Sequence, residues 1–225
     1  MNILALDTSM GACSAAVLSG KELFARQEAM ERGHAEAFMP MVAEVLAEAE
    51  IRPAALDVIA ATTGPGSFTG VRIAIAAARG LALVTGAKLF GIDSLSVMAK
   101  TALAEGLAPG GPYAVAVDAR RGMLYLGLFD AAGERREGPL LIAPDDAAMA
   151  LPRELHVAVG SGATLLAEAG ALRGRDIEAK LPELQPSAAS LAEIAFAGGE
   201  TVPTLKPLYL RPPDAKPQAQ AVARS

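Results

Sequence analysis

Tryptophan is absent from this 225-residue sequence, cysteine occurs once (Cys13) and histidine twice (His34 and His156). A lone cysteine excludes an intramolecular disulfide and fits a reducing compartment. Two distant histidines with no cysteine cluster leave too few soft ligands for a stable transition-metal centre. Aromatic residues make up only 4% of the chain, so its 52% hydrophobic content is carried by aliphatic side chains and above all by alanine. Small residues of that kind let elements pack backbone against backbone. Basic residues are outnumbered, 20 Lys and Arg against 25 Asp and Glu. That balance argues against a chain that holds RNA by itself, though it leaves room for a local patch or a shared surface. No apolar run approaches the ~20 residues that span a bilayer. The start MNILALDTS has an acid at position seven and no basic leader, so no signal peptide is read. The expectation is a soluble, cytoplasmic protein long enough for one large domain or two small ones.

The pattern along the chain is α/β. Apolar runs at 3–8, 14–18 and 22–28 read as strands, the last two joined by a Ser19-Gly20-Lys21 hairpin turn. Phe38, Met41, Val42, Val45, Leu46 and Ala49 recur at helical spacing, which predicts an amphipathic helix over 34–50 with Pro40 inside it. A strand over 56–63 runs into the glycine-rich loop Gly64 to Gly70. A helix over 71–85 follows, closed by Gly86. After a strand at 89–92, Ser94 is read as the N-cap of a helix over 95–105. Ala108-Pro109-Gly110-Gly111-Pro112 is the clearest linker. Beyond it come strands at 113–118, 123–129 and 157–159, the turn Gly160-Ser161-Gly162 leading into a helix, and a further helix over 187–197. These features predict an N-terminal lobe over 1–107, a C-terminal lobe over 112–200 and a Pro-rich tail over 201–225, its last ~10 residues disordered.

The second lobe repeats the first. ILALDTSMGACSAAVL and AVAVDARRGMLYLGLF both read strand, Asp, three residues, Gly, strand, so Asp7 aligns with Asp118 and Gly11 with Gly122 at one constant offset. VIAATTGPG and VAVGSGA then both read strand into a glycine loop before a helix. Two copies of this unit predict a duplicated α/β fold, and the pattern resembles the two-lobed actin/Hsp70/sugar-kinase-like fold with its ribonuclease H-like lobes. In catalytic members of that fold the first Asp turn approaches nucleotide phosphates and their metal, but fold alone does not give function.

Several motifs have two readings. Asp7-Thr8-Ser9 is either a phosphate-binding turn, its carboxylate holding a phosphate-bound magnesium ion, or a local Asx or Ser/Thr turn. The loop with Gly64, Gly66, Ser67, Thr69 and Gly70 opens a helix and can bind an anion there, or it lets a strand and an Ala-rich helix approach closely. It lacks the Gly-Lys-Ser/Thr ending of a P-loop. Arg120-Arg121 is either a phosphate or carboxylate contact or a solvated turn. His34 stands four residues before Phe38, where a chelating helix face would need a second histidine, so no metal site is expected. Cys13 reads as a buried, inert thiol.

LALDTS, RGHAEAF, TTGPGSFTGVRIAIAAARGLAL, VDARRGMLYLGLF and PLYLR, in this order from Ile3 to Arg211, resemble the TsaB family, and GPGSFTGVR is the most specific of them. The resemblance implies a bacterial, non-catalytic subunit. It would bind and activate a TsaD-type transferase that threonylcarbamoylates the tRNA adenosine next to the anticodon, with a TsaE-type ATPase joining them. It implies no cofactor of its own, ATP or threonylcarbamoyl-adenylate being held by the partner, with tRNA bound only in the complex and a homodimer when the chain is alone. TsaD carries a His-x-x-x-His pair where this chain has His34 and Phe38. The family's contact surface would map to the helices over 34–50 and 71–85, with His34, Phe38, Met41, Val42, Val45, Ile75, Ala78 and Arg79 as candidates. The competing reading is an ATP-dependent small-molecule kinase or phosphatase of the same fold, working through Asp7 and the glycine loop. A glycopeptidase-like metalloenzyme is a third and would hold a metal.

Overall fold

The computed structural model describes residues 1–211; the disorder expected at the end of the chain lies outside them. The first half of the chain forms β1 (Asn2–Asp7), β2 (Ala12–Ser19), β3 (Glu22–Ala29), α1 (His34–Glu48), a short 3-10 turn (Pro53–Ala55), β4 (Val58–Thr62), α2 (Phe68–Thr85), β5 (Lys88–Ile92) and α3 (Ser94–Ala104). The second forms β6 (Tyr113–Asp118), β7 (Leu124–Phe129), β8 (Arg135–Ile142), α4 (Pro144–Ala150), β9 (Val157–Val159), α5 (Ala163–Ala171), β10 (Glu178–Lys180) and α6 (Ala188–Gly198).

The first sheet has the strand order β3-β2-β1-β4-β5 and the second β8-β7-β6-β9-β10. In each, an antiparallel three-strand meander extends into two parallel strands, so one topology occurs twice. This is the duplicated two-lobed fold that the repeat predicts. Strand alternation divides the core accordingly. Leu4 and Leu6 of β1 face the cluster built by α1 and α2, whereas Ile3 and Ala5 face α6. Ala114 and Ala116 of β6 face α4 and α5, whereas Tyr113, Val115 and Val117 face α3. The N-cap of α3 is Asp93 rather than Ser94, its Oδ1 accepting from Ser96 N–H at 3.0 Å. Its Oδ2 accepts from Arg135 at 2.6 Å, a contact that ties α3 to β8.

Two helices are exchanged between the halves. α3 follows the first sheet in sequence but packs on β6 and β7, while α6 follows the second sheet and packs on β1 and β2. The helix expected over 187–197 is therefore present, but it covers the first sheet rather than the lobe that the 112–200 boundary assigns it to. The segment after it does likewise. Val202 N–H donates to Leu89 O at 2.8 Å, and Leu205 is buried against the first sheet's core. Residues 202–208 are thus packed on the first lobe rather than forming a free tail.

Helix α2 corrects a second expectation. Its 18 residues are long and apolar enough, by length and composition only, to cross a membrane. Its Val71, Ala74, Ile75 and Ala78 face pack into the core shared with α1, and its opposite face carries Arg72 and Arg79. It forms because alanines dominate it, Ser67 caps its start by accepting from Gly70 N–H at 3.3 Å, and Gly86 (φ 76°) ends it.

Candidate functional site

Asp7, Thr8 and Ser9 close strand β1 and are fully buried. Asp7 Oδ1 accepts from Ser9 Oγ at 2.7 Å, from Ser9 N–H at 3.3 Å and from Thr62 Oγ1. Its Oδ2 has no hydrogen-bond partner among the described residues. Burial raises the Asp7 carboxyl from 3.8 to about 6, against the opposing pull of the Ser9 and Thr62 hydrogen bonds and of His34. The glycine loop lies directly on this turn. Ser67 N–H donates to Ser9 O at 2.7 Å, Thr8 Oγ1 donates to Gly70 O at 2.6 Å, and Ala74 N–H donates to Thr8 Oγ1 at 3.2 Å. A Cβ on Gly66 would overlap Ser9 O, and one on Gly70 would overlap Thr8 O. The loop glycines thus serve a close approach of backbone to backbone. Ser67 belongs to this seam, whereas Thr69 is exposed on the first turn of α2 and Gly64 O accepts from Ser94 N–H at 2.8 Å.

His34 begins α1, half-buried, with Nε2 3.1 Å from Met10 O. Phe38, at the chelating spacing, is in the core. His156 Nδ1 lies 3.1 Å from Asp176 O in the other lobe. Burial pushes the Cys13 thiol up to about 11, so it stays protonated at neutral pH.

Most of the contact residues mapped from the sequence are not on the surface. Phe38, Met41, Val42, Val45, Ile75 and Ala78 are all buried in the core of the single chain. A buried side chain of this kind contributes roughly 1.5–3 kcal/mol to folding, which fixes these residues as core and leaves only His34 and Arg79 accessible. The periodicity identifies the buried stripe of each helix, and the sheet rather than a partner buries it. The outward stripe lies on the other side. On α1 it includes Met39, Pro40, Ala43 and Ala47; on α2 it includes Ala76, Arg79, Gly80, Leu83 and Val84. Leu83 is 87% exposed and Val84 86%, the two most exposed large apolar side chains among the described residues, followed by Leu172 at 84%.

Gly80 is the informative residue of this face. A Cβ there would meet nothing within 4 Å. Glycine in a helix interior is roughly 1 kcal/mol worse than alanine. No contact among the described residues compensates that cost. Ala74 and Ala78 do pack inward, whereas Ala76 and Gly80 point out.

A cavity of about 710 Å³ separates the lobes, lined by residues that include Gly66, Phe68, Asp118, Arg120, Ser161 and Tyr209. The second-lobe turn at its edge has three consecutive residues in the left-handed region, Arg120 (φ 62°), Arg121 (φ 56°) and Gly122 (φ 70°). For non-glycine residues this conformation costs on the order of 1–2 kcal/mol each, and the turn is closed from within by Ala119 N–H donating to Met123 O at 2.9 Å and Met123 N–H donating to Arg120 O at 3.2 Å. Asp118 Oδ1 accepts from Arg120 N–H at 2.7 Å, and Arg211 donates from Nη1 to Ala119 O at 3.0 Å and from Nη2 to Arg120 O at 3.3 Å.

Residues 22–206 match the family model TsaD: tRNA N6-adenosine threonylcarbamoyltransferase. The chain is 32% identical to the tRNA threonylcarbamoyladenosine biosynthesis protein TsaB of Escherichia coli (strain K12), over 94% of this chain and 95% of that one. It is 33% identical to the protein of the same name from Buchnera aphidicola subsp. Schizaphis graminum, over 71% of this chain and 78% of the other. Among solved structures, YeaZ from Pseudomonas aeruginosa superposes with a TM-score of 0.78 at 34% identity, covering 93% of this chain and 99% of that chain.

Proposed function

Because the chain belongs to the TsaB family, we propose that it serves tRNA threonylcarbamoyladenosine biosynthesis as a non-catalytic subunit, docking on a TsaD-type transferase and activating it. The outward faces of α1 and α2 are the docking surface. One observation carries this reading: Gly80 leaves an open notch on an exposed helix, beside the bare apolar pair Leu83 and Val84. Partner backbone approaching that notch supplies the contact that offsets the glycine's cost, and it covers the apolar pair. The same face, left bare, drives homodimerisation of the isolated chain.

The remaining parts of the assembly follow from this role. A TsaE-type ATPase joins the pair, tRNA binds only to the complex, and ATP or threonylcarbamoyl-adenylate is held by the transferase, so this chain works in the cytoplasm without a cofactor of its own. The kinase or phosphatase reading requires Asp7 to meet a phosphate-bound metal, and the buried Asp7 carboxylate sits beneath the glycine loop.

The test mixes the chain with its TsaD-type partner and measures complex formation by calorimetry and modification of tRNA. Leu83→Asp abolishes the complex and the modification while the melting temperature of the isolated chain stays the same. Met149→Asp alters an exposed apolar residue of the second lobe and leaves both intact. Wild-type binding by Leu83→Asp, or steady turnover by the isolated chain, would refute the reading.

A further inference from the structure

The segment 208–211 touches both the proposed docking helix and the second-lobe turn. Leu208 N–H donates to Thr63 O at 2.7 Å, which anchors the segment at the end of β4. Tyr209 then stacks on Phe68 of α2, ring centroids 5.3 Å apart, and its hydroxyl accepts from Arg72 Nε at 2.7 Å. The Arg72 guanidinium lies 3.6 Å above the Phe68 ring, so Phe68, Arg72 and Tyr209 form one interlocked unit on the first turns of α2. Two residues later Arg211 reaches across the cleft and donates to the carbonyls of Ala119 and Arg120. Those carbonyls belong to the turn with the left-handed residues Arg120, Arg121 and Gly122, so Arg211 adds a second-lobe anchor to the turn's own hydrogen bonds. Phe68 and Arg72 stand at helical spacing on α2, and Ala76, Gly80 and Leu83 continue that row toward its other end.

We propose that 208–211 is a tie that couples the partner-facing helix α2 to the second-lobe turn, so that docking on α2 and ordering of the turn reinforce one another. Tyr209 and Arg211 are its two positioning residues. The proposal rests on α2 being the docking surface. Its physical content is reciprocity. A partner that favours the α2 conformation to which Tyr209 is locked also favours the state in which Arg211 holds the turn, and an ordered turn tightens docking by the same factor.

Hydrogen exchange on the full chain, free and with the TsaD-type partner, tests this. In the wild type the partner slows exchange along α2 and also slows the amides of 118–123 by about threefold. In Arg211→Ala the free turn exchanges roughly tenfold faster, and the partner protects α2 but no longer the turn. Tyr209→Ala leaves Arg211 and the turn untouched. Its free turn exchanges within about twofold of wild type, yet the partner's protection of the turn is lost, a result that loss of local structure alone does not produce. Protection of α2 without any effect on the wild-type turn overturns the tie, as does turn protection that survives in both variants. A partner that protects no part of α2 overturns the docking reading and the tie together.

Discussion

Replacing Asp7 with Asn changes how stability depends on pH, by an amount that the structure sets. The carboxyl is fully buried, its Oδ2 lacks a partner among the described residues, and burial raises it from 3.8 to about 6. A folded-state value above the unfolded one means that the native state binds the proton more tightly. The stabilisation this gives is fully present below pH ~4 and is lost as pH rises through about 6. At pH 7 and above the loss corresponds to roughly 3 kcal/mol. Asn keeps an acceptor for Ser9 and Thr62 and cannot ionise, so it escapes that loss. Whatever constant offset the amide introduces, the stability of Asp7→Asn relative to wild type rises by about 3 kcal/mol between pH 3 and pH 8, or roughly 6–12 °C in melting temperature for a chain of this size. Urea unfolding and thermal melts at unit pH intervals read this directly. Parallel stability curves for the two proteins across that range would refute the account of Asp7.

Other changes separate core from surface. Val42→Asp places a charge among core side chains and costs several kcal/mol of stability in urea titration, so its effect on the complex is indirect. Gly80→Gln fills the notch on α2. It leaves the isolated chain as stable as wild type or slightly more stable, and weakens partner binding at least tenfold by calorimetry. Gly70→Ala drives a Cβ into the Thr8 carbonyl, where both neighbours are backbone, and lowers stability by about 2 kcal/mol or more in the same unfolding assay. His34→Ala removes one contact to the Met10 carbonyl and leaves tRNA modification by the assembled complex nearly unchanged; its loss with an intact complex would contradict the non-catalytic role.

The duplicated architecture was legible because it is written in local pattern: two strand–Asp-turn–strand units and two glycine-loop helices. The exchange of α3 and α6 was not, since no residue of Ala188–Gly198 states which sheet its apolar face will meet. Strand β8 escaped because RREGPLLI lacks alternation and contains Gly138 and Pro139, which read as a break. Short α4 and β10 carry too few residues for a period to show. The site divides in the same way. The Asp7 turn and the glycine loop were found by motif, yet only the fold shows that one lies against the other. On α1 and α2, periodicity isolates a buried stripe without naming what buries it, so Phe38, Val42 and Val45 were assigned to a partner when the sheet already held them. The usable signal was Gly80, a helix-breaking residue in an otherwise uninterrupted alanine-rich run, and it becomes informative once its side of the helix is known.

The exchange of helices also sets an order of events. The sheet synthesised first has one face bare until Ala188, Leu191, Ala192 and Ala195 arrive, and its edge awaits Val202 and Leu205. A ribosome must therefore release nearly the whole polypeptide before the earliest-made half is finished. Severing the chain at its 108–112 linker yields two pieces, each holding a layer that belongs to the other.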